Sequence, residues 1–360
     1  MTVVLAGSRV FAIVCGCSCC ILPRSNPKTK KQMKRKILVT RELFDETISF
    51  LAEHFDVTSN QAKVDFSREA MIERLQGMDA AVITTSDRID EEFLSRCPGL
   101  KAVCSVSVGF NHIDLDACTR HGVIATNTPG VLTDSVADMA LCLTLATVRR
   151  LSEGERMVRA NQWKGSHLKQ LLGHDLHHAT VGICGFGRIG QAIAKRLHGF
   201  DTKLLYTDIS RADLKIEDVL QATYASKDDL LRRSDIVILI LPYTPNTHHY
   251  IGKAELAKMK ASAVLINMAR GGIVDDAALA DALKAGRIWS AGLDVYENEP
   301  VVNPALLELN NVVLTPHIAS ATGPTRQAMA MLAAQNCVAA LTGAAPPNLL
   351  NPDYKKYLKT

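Results

Sequence analysis

Val181-Gly182-Ile183-Cys184-Gly185-Phe186-Gly187-Arg188-Ile189-Gly190 is the stretch that decides the fold. An apolar strand runs into a tight turn whose glycines, Gly185, Gly187 and Gly190, stand in G-x-G-x-x-G order, and an amphipathic helical pattern follows to His198. Each glycine has a physical task. The first makes the turn, the second lets backbone approach a pyrophosphate, and the third lets the helix pack closely on the strand. The helix amino terminus, with Arg188 and Ile189, then faces the phosphates. Alone the motif is weak; a strand before it and a helix after it are the context that makes it a dinucleotide-binding turn. The next strand, from Lys203, ends at Asp208, where an acid would bond the adenosine ribose hydroxyls. A carboxylate there repels a 2′-phosphate and favours NAD over NADP. Arg211, three residues on, could reach such a phosphate and keeps NADP open.

Outward from this turn, short β-branched runs alternate with amphipathic stretches. Strands are expected at Ile37–Thr40, Ala80–Thr84, Ala102–Ser105, Val123–Ala125, Thr180–Cys184, Lys203–Tyr206, Ile236–Leu241, Ala263–Asn267, Ser290–Leu293 and Val312–Leu314. Helices are expected at Arg41–His54, Ser67–Gln76, Arg188–His198, Asp275–Ala285, Leu151–Asn161 and Thr322–Leu341. Continuous apolar strands alternating with helices predict parallel sheets covered on both faces. A further apolar helix, Thr133–Arg149, opens with Thr133-Asp134-Ser135, an N-cap signal, and is long enough to carry the chain between domains. A chain of 360 residues has room for two domains. The expected architecture is therefore α/β: two Rossmann-like, doubly wound parallel-sheet domains with a cleft between them. Residues 134–316 form the nucleotide-binding domain, and residues 33–133 plus 317–360 form the substrate-binding, flavodoxin-like domain.

Composition narrows the class. The chain is 47% hydrophobic and 22% charged, an ordinary globular balance, and its net charge of +4 is small. Part of that charge sits in one run, Lys28 to Lys36, so the body is close to neutral and nothing in it suggests a nucleic-acid partner, which would need a basic face. Ten cysteines are present. Cys15, Cys17, Cys19 and Cys20 crowd together with no histidine nearby, so no bound metal is expected. The rest lie mostly in apolar runs and read as buried free thiols of a reducing, cytoplasmic protein. Residues 1–32 contain an apolar run that Gly7, Ser8, Arg9, Gly16 and Ser18 interrupt, which disfavours a membrane span. They read as a disordered leader or start-site extension, because Met33 leads straight into the first strand.

Three more strand ends carry polar groups: Asn267-Met268-Ala269-Arg270-Gly271-Gly272, Asp294 with Glu297-Asn298-Glu299-Pro300, and Thr315-Pro316-His317-Ile318-Ala319. Open parallel sheets bind ligands at the carboxyl ends of their strands, so Arg270, Asp294, Glu299 and His317 converge on one cleft in this reading. Reduction of a 2-keto acid needs a guanidinium fork for the carboxylate, a proton donor with a pKa near neutrality, and an acid beside that donor. Arg270, His317 and Glu299 supply these. Singly, each has a bland reading as a loop or turn residue; together, behind a dinucleotide turn, they define chemistry.

These segments resemble the D-isomer-specific 2-hydroxyacid dehydrogenases from about Lys36 to Pro352. The resemblance implies that Arg270 binds substrate, that Glu299 pairs with the catalytic acid/base His317, and that Asp294 contacts the nicotinamide amide. It also implies that backbone near Val108 and Gly109 binds the substrate carboxylate. Val131–Asp138, Asp175–Thr180 and Met259–Ser262 are similar to the glyoxylate/hydroxypyruvate and 2-ketogluconate reductase branch. Many members of that branch prefer NADPH and carry arginines after the second strand, where this chain has Asp208-Ile209-Ser210. The reading that follows is an oxidoreductase moving a hydride between NAD(P)H and a small 2-keto acid to give the D-2-hydroxy acid. It is expected to act as a homodimer, through the family likeness and an exposed face on helix Thr133–Arg149. The competing reading is an NAD-sensing, corepressor-like binding protein without turnover. A formate-type donor is disfavoured because formate dehydrogenases pair the histidine with glutamine.

Overall fold

The computed structural model describes residues 34–62 and 64–358. The reading of residues 1–32, with its cysteine cluster, lies outside the described residues. Five parallel strands form one sheet: β1 (Lys36–Val39), β2 (Asp56–Ser59), β3 (Ala80–Ile83), β4 (Ala102–Ser105) and β5 (Ile124–Thr126), in the order β2-β1-β3-β4-β5. Seven form the other: β6 (Thr180–Cys184), β7 (Lys203–Thr207), β8 (Ala222–Tyr224), β9 (Ile236–Leu239), β10 (Val264–Asn267), β11 (Ser290–Leu293) and β12 (Val312–Leu314), in the order β12-β11-β10-β9-β6-β7-β8. All are parallel, with Val181 opposite Ile236 and Val264 opposite Ile236 at the centre. β1, β3, β4, β9 and β10 are buried on both faces apart from Lys36, as apolar strands sandwiched between helix layers must be.

β2 and β8 were absent from the sequence expectation. Both are edge strands, and their alternating or mostly exposed side chains give no continuous apolar signal. The first helix begins at Asp45, not Arg41. Arg41 is spent instead on ion pairs with Asp65 and Asp87 at the end of β1. The helix Thr133–Val148 also departs from expectation. Leu132 occupies the cap position with no side-chain cap bond, and the Ser135 hydroxyl donates to Ala319 O at 3.3 Å. Val136, Ala137, Ala140, Leu141, Leu143 and Val148 are buried within the chain. Its exposed stripe is Asp134, Asp138 and Cys142, two of which pair with Arg196, so this helix carries no apolar face awaiting a partner. Cys142 likewise departs from the expectation of buried thiols. The free Cys97, Cys104, Cys118, Cys184 and Cys337 are buried. Among the described residues, no helix is long and apolar enough to cross a membrane.

After β12 the chain returns to the first sheet. Helix Gly323–Thr342 seats Ala333, Ala334, Cys337 and Leu341 among Ile37, Val39, Val82, Ala102 and Cys104. Fully buried Asn336 stitches this return: its amide donates to Asn127 O at 3.0 Å and its carbonyl accepts Asn348 N at 3.2 Å. Truncation to Ala strands the buried Asn127 carbonyl and releases the half-buried Asn348 N–H. Asn336→Ala is expected to lower stability by about 1–3 kcal/mol, read as a drop in urea midpoint at unchanged slope; an unchanged midpoint contradicts this account.

Candidate active site

The dinucleotide turn takes the form its glycines imply. Gly185 has φ +96°, and a Cβ on Gly190 would lie 2.2 Å from Gly185 O, so the helix Arg188–Leu197 closes onto the strand only without a side chain there. A Cβ at Gly187 would meet nothing within 4 Å, which leaves open space before the helix amino terminus, the room a pyrophosphate requires. Asp208, just beyond β7, turns one carboxylate oxygen to Phe186 N at 2.6 Å and the other to its neighbour Ile209 N. Arg211 points elsewhere. Its guanidinium forms a two-pronged pair with Glu217 at 2.8 and 2.7 Å. That pairing and the Tyr206 hydroxyl hold the Glu217 carboxyl down at about 2. Turn and acid together fit a dinucleotide.

The other segments meet at the carboxyl edge of both sheets. A cavity of ≈490 Å³ is lined by Val108, Gly109, Ile189, Arg270, Asp294 and His317. An adjoining one of ≈840 Å³ holds Arg41 and His112, and both cavities share Arg270, Glu299 and His317. Gly185, Gly187, Arg188, Gly190 and Asp208 lie at the neighbouring turn and do not line these cavities.

His317 Nδ1 lies 2.8 Å from Glu299 Oε2. A carboxylate accepts, so Nδ1 carries the proton, and Nε2 is without a partner among the described residues. Burial works to raise the Glu299 carboxyl. The bond and charge of His317, the Tyr296 N–H at 3.0 Å and the Arg270 charge outweigh it and hold the group below its ordinary value. Burial draws the Arg270 guanidinium below its usual range, with Glu299 opposing.

Asp294 is 1% exposed, and its carboxylate accepts Thr315 Oγ1 at 2.7 Å, Ile318 N at 2.9 Å and Ala319 N at 2.9 Å. It thereby clamps the loop in which His317 sits at φ +52°, a left-handed conformation that costs a side-chain-bearing residue about 1–2 kcal/mol.

Sequence reasoning missed the clamp on the Glu299 segment. His249 Nε2 bonds Glu297 Oε1 at 2.5 Å, and Glu297 N donates to Asp276 Oδ2 at 3.2 Å. His249, Asp275 and Glu297 bring potential ligand atoms within 4.8 Å of one another. No spacing rule joins residues so far apart in the chain. It also missed buried His112 and the serines beneath Val108.

An open parallel sheet with a glycine turn, a facing acid and a paired histidine beside an arginine defines an NAD(P)-dependent dehydrogenase acting on CH–OH groups. Comparison sharpens the class. The D-isomer specific 2-hydroxyacid dehydrogenase NAD-binding domain profile matches residues 141–319. The glyoxylate reductase of Thermococcus onnurineus is 45% identical over 89% of this chain and 96% of its own. That of Pyrococcus horikoshii is 44% identical over 91% and 99%. The NADPH-dependent glyoxylate/hydroxypyruvate reductase of Sinorhizobium meliloti, solved with NADP and malonate, superposes with a TM-score of 0.79 at 32% identity, covering 89% of this chain and 98% of its own. The chain belongs to the D-isomer-specific 2-hydroxyacid dehydrogenase family. It is an NAD(P)-dependent oxidoreductase of small 2-keto and 2-hydroxy acids, and the corepressor-like reading is not favoured.

Burial pushes the Asp276 carboxyl up to about 6; the Glu297 N–H opposes this, and the Glu297 and Asp275 charges add to it. The folded state therefore holds this proton more tightly than the unfolded chain, and stability falls as pH rises from the ordinary aspartate range through about 6. Asp276→Asn abolishes that loss. Relative to wild type, the variant is expected to gain on the order of 2 kcal/mol from about pH 4 to about pH 7, measured as urea midpoints. Parallel pH profiles would refute it.

Proposed function

We propose that this enzyme reduces glyoxylate to glycolate, or hydroxypyruvate to D-glycerate, with NADH preferred. The observation that carries the proposal is the His317–Glu299 pair, 2.8 Å apart, on a cavity that Arg270 also lines. Arg270 and the backbone at Val108 and Gly109 bind the carboxylate. His317 Nε2 donates a proton to the C2 carbonyl oxygen, and Glu299 stabilises the imidazolium before transfer. Bound NAD(P)H supplies the hydride to C2. Gly185, Gly187, Gly190, Arg188 and Ile189 seat the pyrophosphate, Asp208 meets the adenosine ribose, and Asp294 reaches the nicotinamide amide while holding the loop of His317. The engagement of Arg211 with Glu217 supports NADH, since it leaves a 2′-phosphate facing Asp208.

In this reading residues 134–316 take the cofactor, and residues 33–133 plus 317–360 take the substrate. Trp163, Leu168 and Leu172, each more than half exposed, support a homodimer through this segment. The free thiols support a cytoplasmic setting.

Initial rates with NADH and NADPH against glyoxylate, hydroxypyruvate and 2-ketogluconate are the direct test. NADH is expected to win, and His317→Ala is expected to lose about 10²–10⁴ in kcat with NADH affinity kept. Wild-type turnover in that variant would remove His317 from the role. Sedimentation at micromolar concentration is expected to give the mass of two chains; a monomer would exclude the dimer.

A further inference from the structure

Ser105, Ser107 and His112 form a buried chain directly beneath the Val108–Gly109 loop, and the chain has a direction that can be read from proton counting. The Ser107 hydroxyl lies 2.7 Å from Gly109 O. A carbonyl only accepts, so the single hydroxyl proton of Ser107 is committed there. The Ser105–Ser107 contact at 2.7 Å must then take its proton from Ser105. Ser105 has no proton left for His112, whose Nε2 lies 2.9 Å from it, so Nε2 carries the proton. Burial, with the Arg270 charge adding, pulls the imidazole down to about 4, so the ring is neutral. Its other nitrogen, Nδ1, is therefore a bare lone pair. It is buried and has no hydrogen-bond partner among the described residues.

An unpaired buried acceptor costs free energy until a donor reaches it. The donor at hand is Arg270. His112 is 9% exposed, and the part of it that is reached lines the same cavity as Arg270. The guanidinium packs against Gly109, where a Cβ would stand 2.1 Å from Nη2. In this structure the only hydrogen bond the fork makes among the described residues is from Nη1 to Ala269 O, at 2.6 Å, so most of its donors are free for new partners.

We propose that the Ser107–Ser105–His112 chain is a positioning device for Arg270, holding His112 as the Nε2–H tautomer so that Nδ1 accepts a hydrogen bond from the guanidinium while the fork grips the substrate carboxylate. The same chain anchors Gly109 O, and Asn127 Nδ2 anchors Val108 O at 2.8 Å, so the arginine and the loop that faces it share one set of supports. This inference rests on the reading of Arg270 as the carboxylate-binding residue.

The test combines a tautomer measurement with a substitution series. Long-range ¹H–¹⁵N correlation on ¹⁵N-histidine-labelled enzyme, with the His112 signal assigned by its loss in His112→Leu, is expected to show Nε2 protonated and Nδ1 bare. Ser105→Ala is expected to mix the tautomers. His112→Leu is expected to weaken malonate binding to the NADH-loaded enzyme and to raise KM for glyoxylate, each on the order of tenfold, with kcat and NADH affinity nearly unchanged. His112→Asn, which keeps an acceptor near the Nδ1 position, is expected to recover most of that loss. A protonated Nδ1, or malonate affinity indifferent to His112→Leu, would overturn the proposal, and so would an Asn variant as impaired as Leu. Arg270→Ala separates the two readings. If it leaves malonate affinity intact, the carboxylate-binding role of Arg270 fails. If it weakens binding and His112→Leu does not, that role stands and the positioning device falls.

Discussion

A carboxylate 1% exposed must find its donors inside the protein, and Asp294 draws three of them from one loop. Thr315 Oγ1, Ile318 N and Ala319 N converge on it, bracketing His317 on both sides. A charge bonded in this way tolerates no slack, since each lost bond exposes an ion to a low-dielectric surrounding. That stiffness is what sustains a histidine in the left-handed region. The imidazole is then delivered to Glu299 from a fixed backbone position, with no search through loop conformers. The clamp comes from the end of β11 and the histidine follows β12, so the pairing of two neighbouring strands, Leu293 beside Leu314, sets the geometry of the whole assembly.

The Glu299 side of the pair is braced separately. The Tyr296 N–H returns to Glu299, the Tyr296 hydroxyl bridges Leu293 O and Thr315 O, and Glu297 is tied to both His249 and Asp276. Acid and imidazole thus reach one another from supports that meet at β11, its exit and Thr315. Arg270 stands between them and the first sheet, mostly stripped of water, with Glu299 as the compensating charge. An anionic substrate entering this space meets a cation whose donors are largely unspent.

Much of this was legible because parallel sheets impose simple rules on sequence. Mostly apolar runs such as Ala102–Ser105, Thr180–Cys184, Ser290–Leu293 and Val312–Leu314 mark strands to the residue, since strands packed between helix layers are mainly buried. Polar residues placed after such runs fall at one edge of the sheet, which is why the sequence itself groups Arg270, Asp294, Glu299 and His317. What stayed hidden depends on long-range partners. Ser105 and Ser107 look like the ordinary end of a strand, and only the fold-back that brings His112 onto them makes a directed chain. The Thr133 cap misled because a cap needs its side chain aimed at the following amides, and Ser135 is drawn instead to Ala319. The apolar length of that helix was legible, but its sequence could not say that the rest of the chain already covers it.

The two sheets are joined twice, once where the chain leaves β5 for the helix Thr133–Val148 and again where it leaves β12 for the helix Gly323–Thr342. Ser135 and Ala319 bond these crossings to each other, and Leu132, Val136 and Met329 pack around them. A body hung from a single strand can swivel about it; one hung from two adjacent strands can only fold along the line that joins them. The paired crossing therefore acts as two bolts through one bracket, and Gly109 is set against Arg270 by both connections at once.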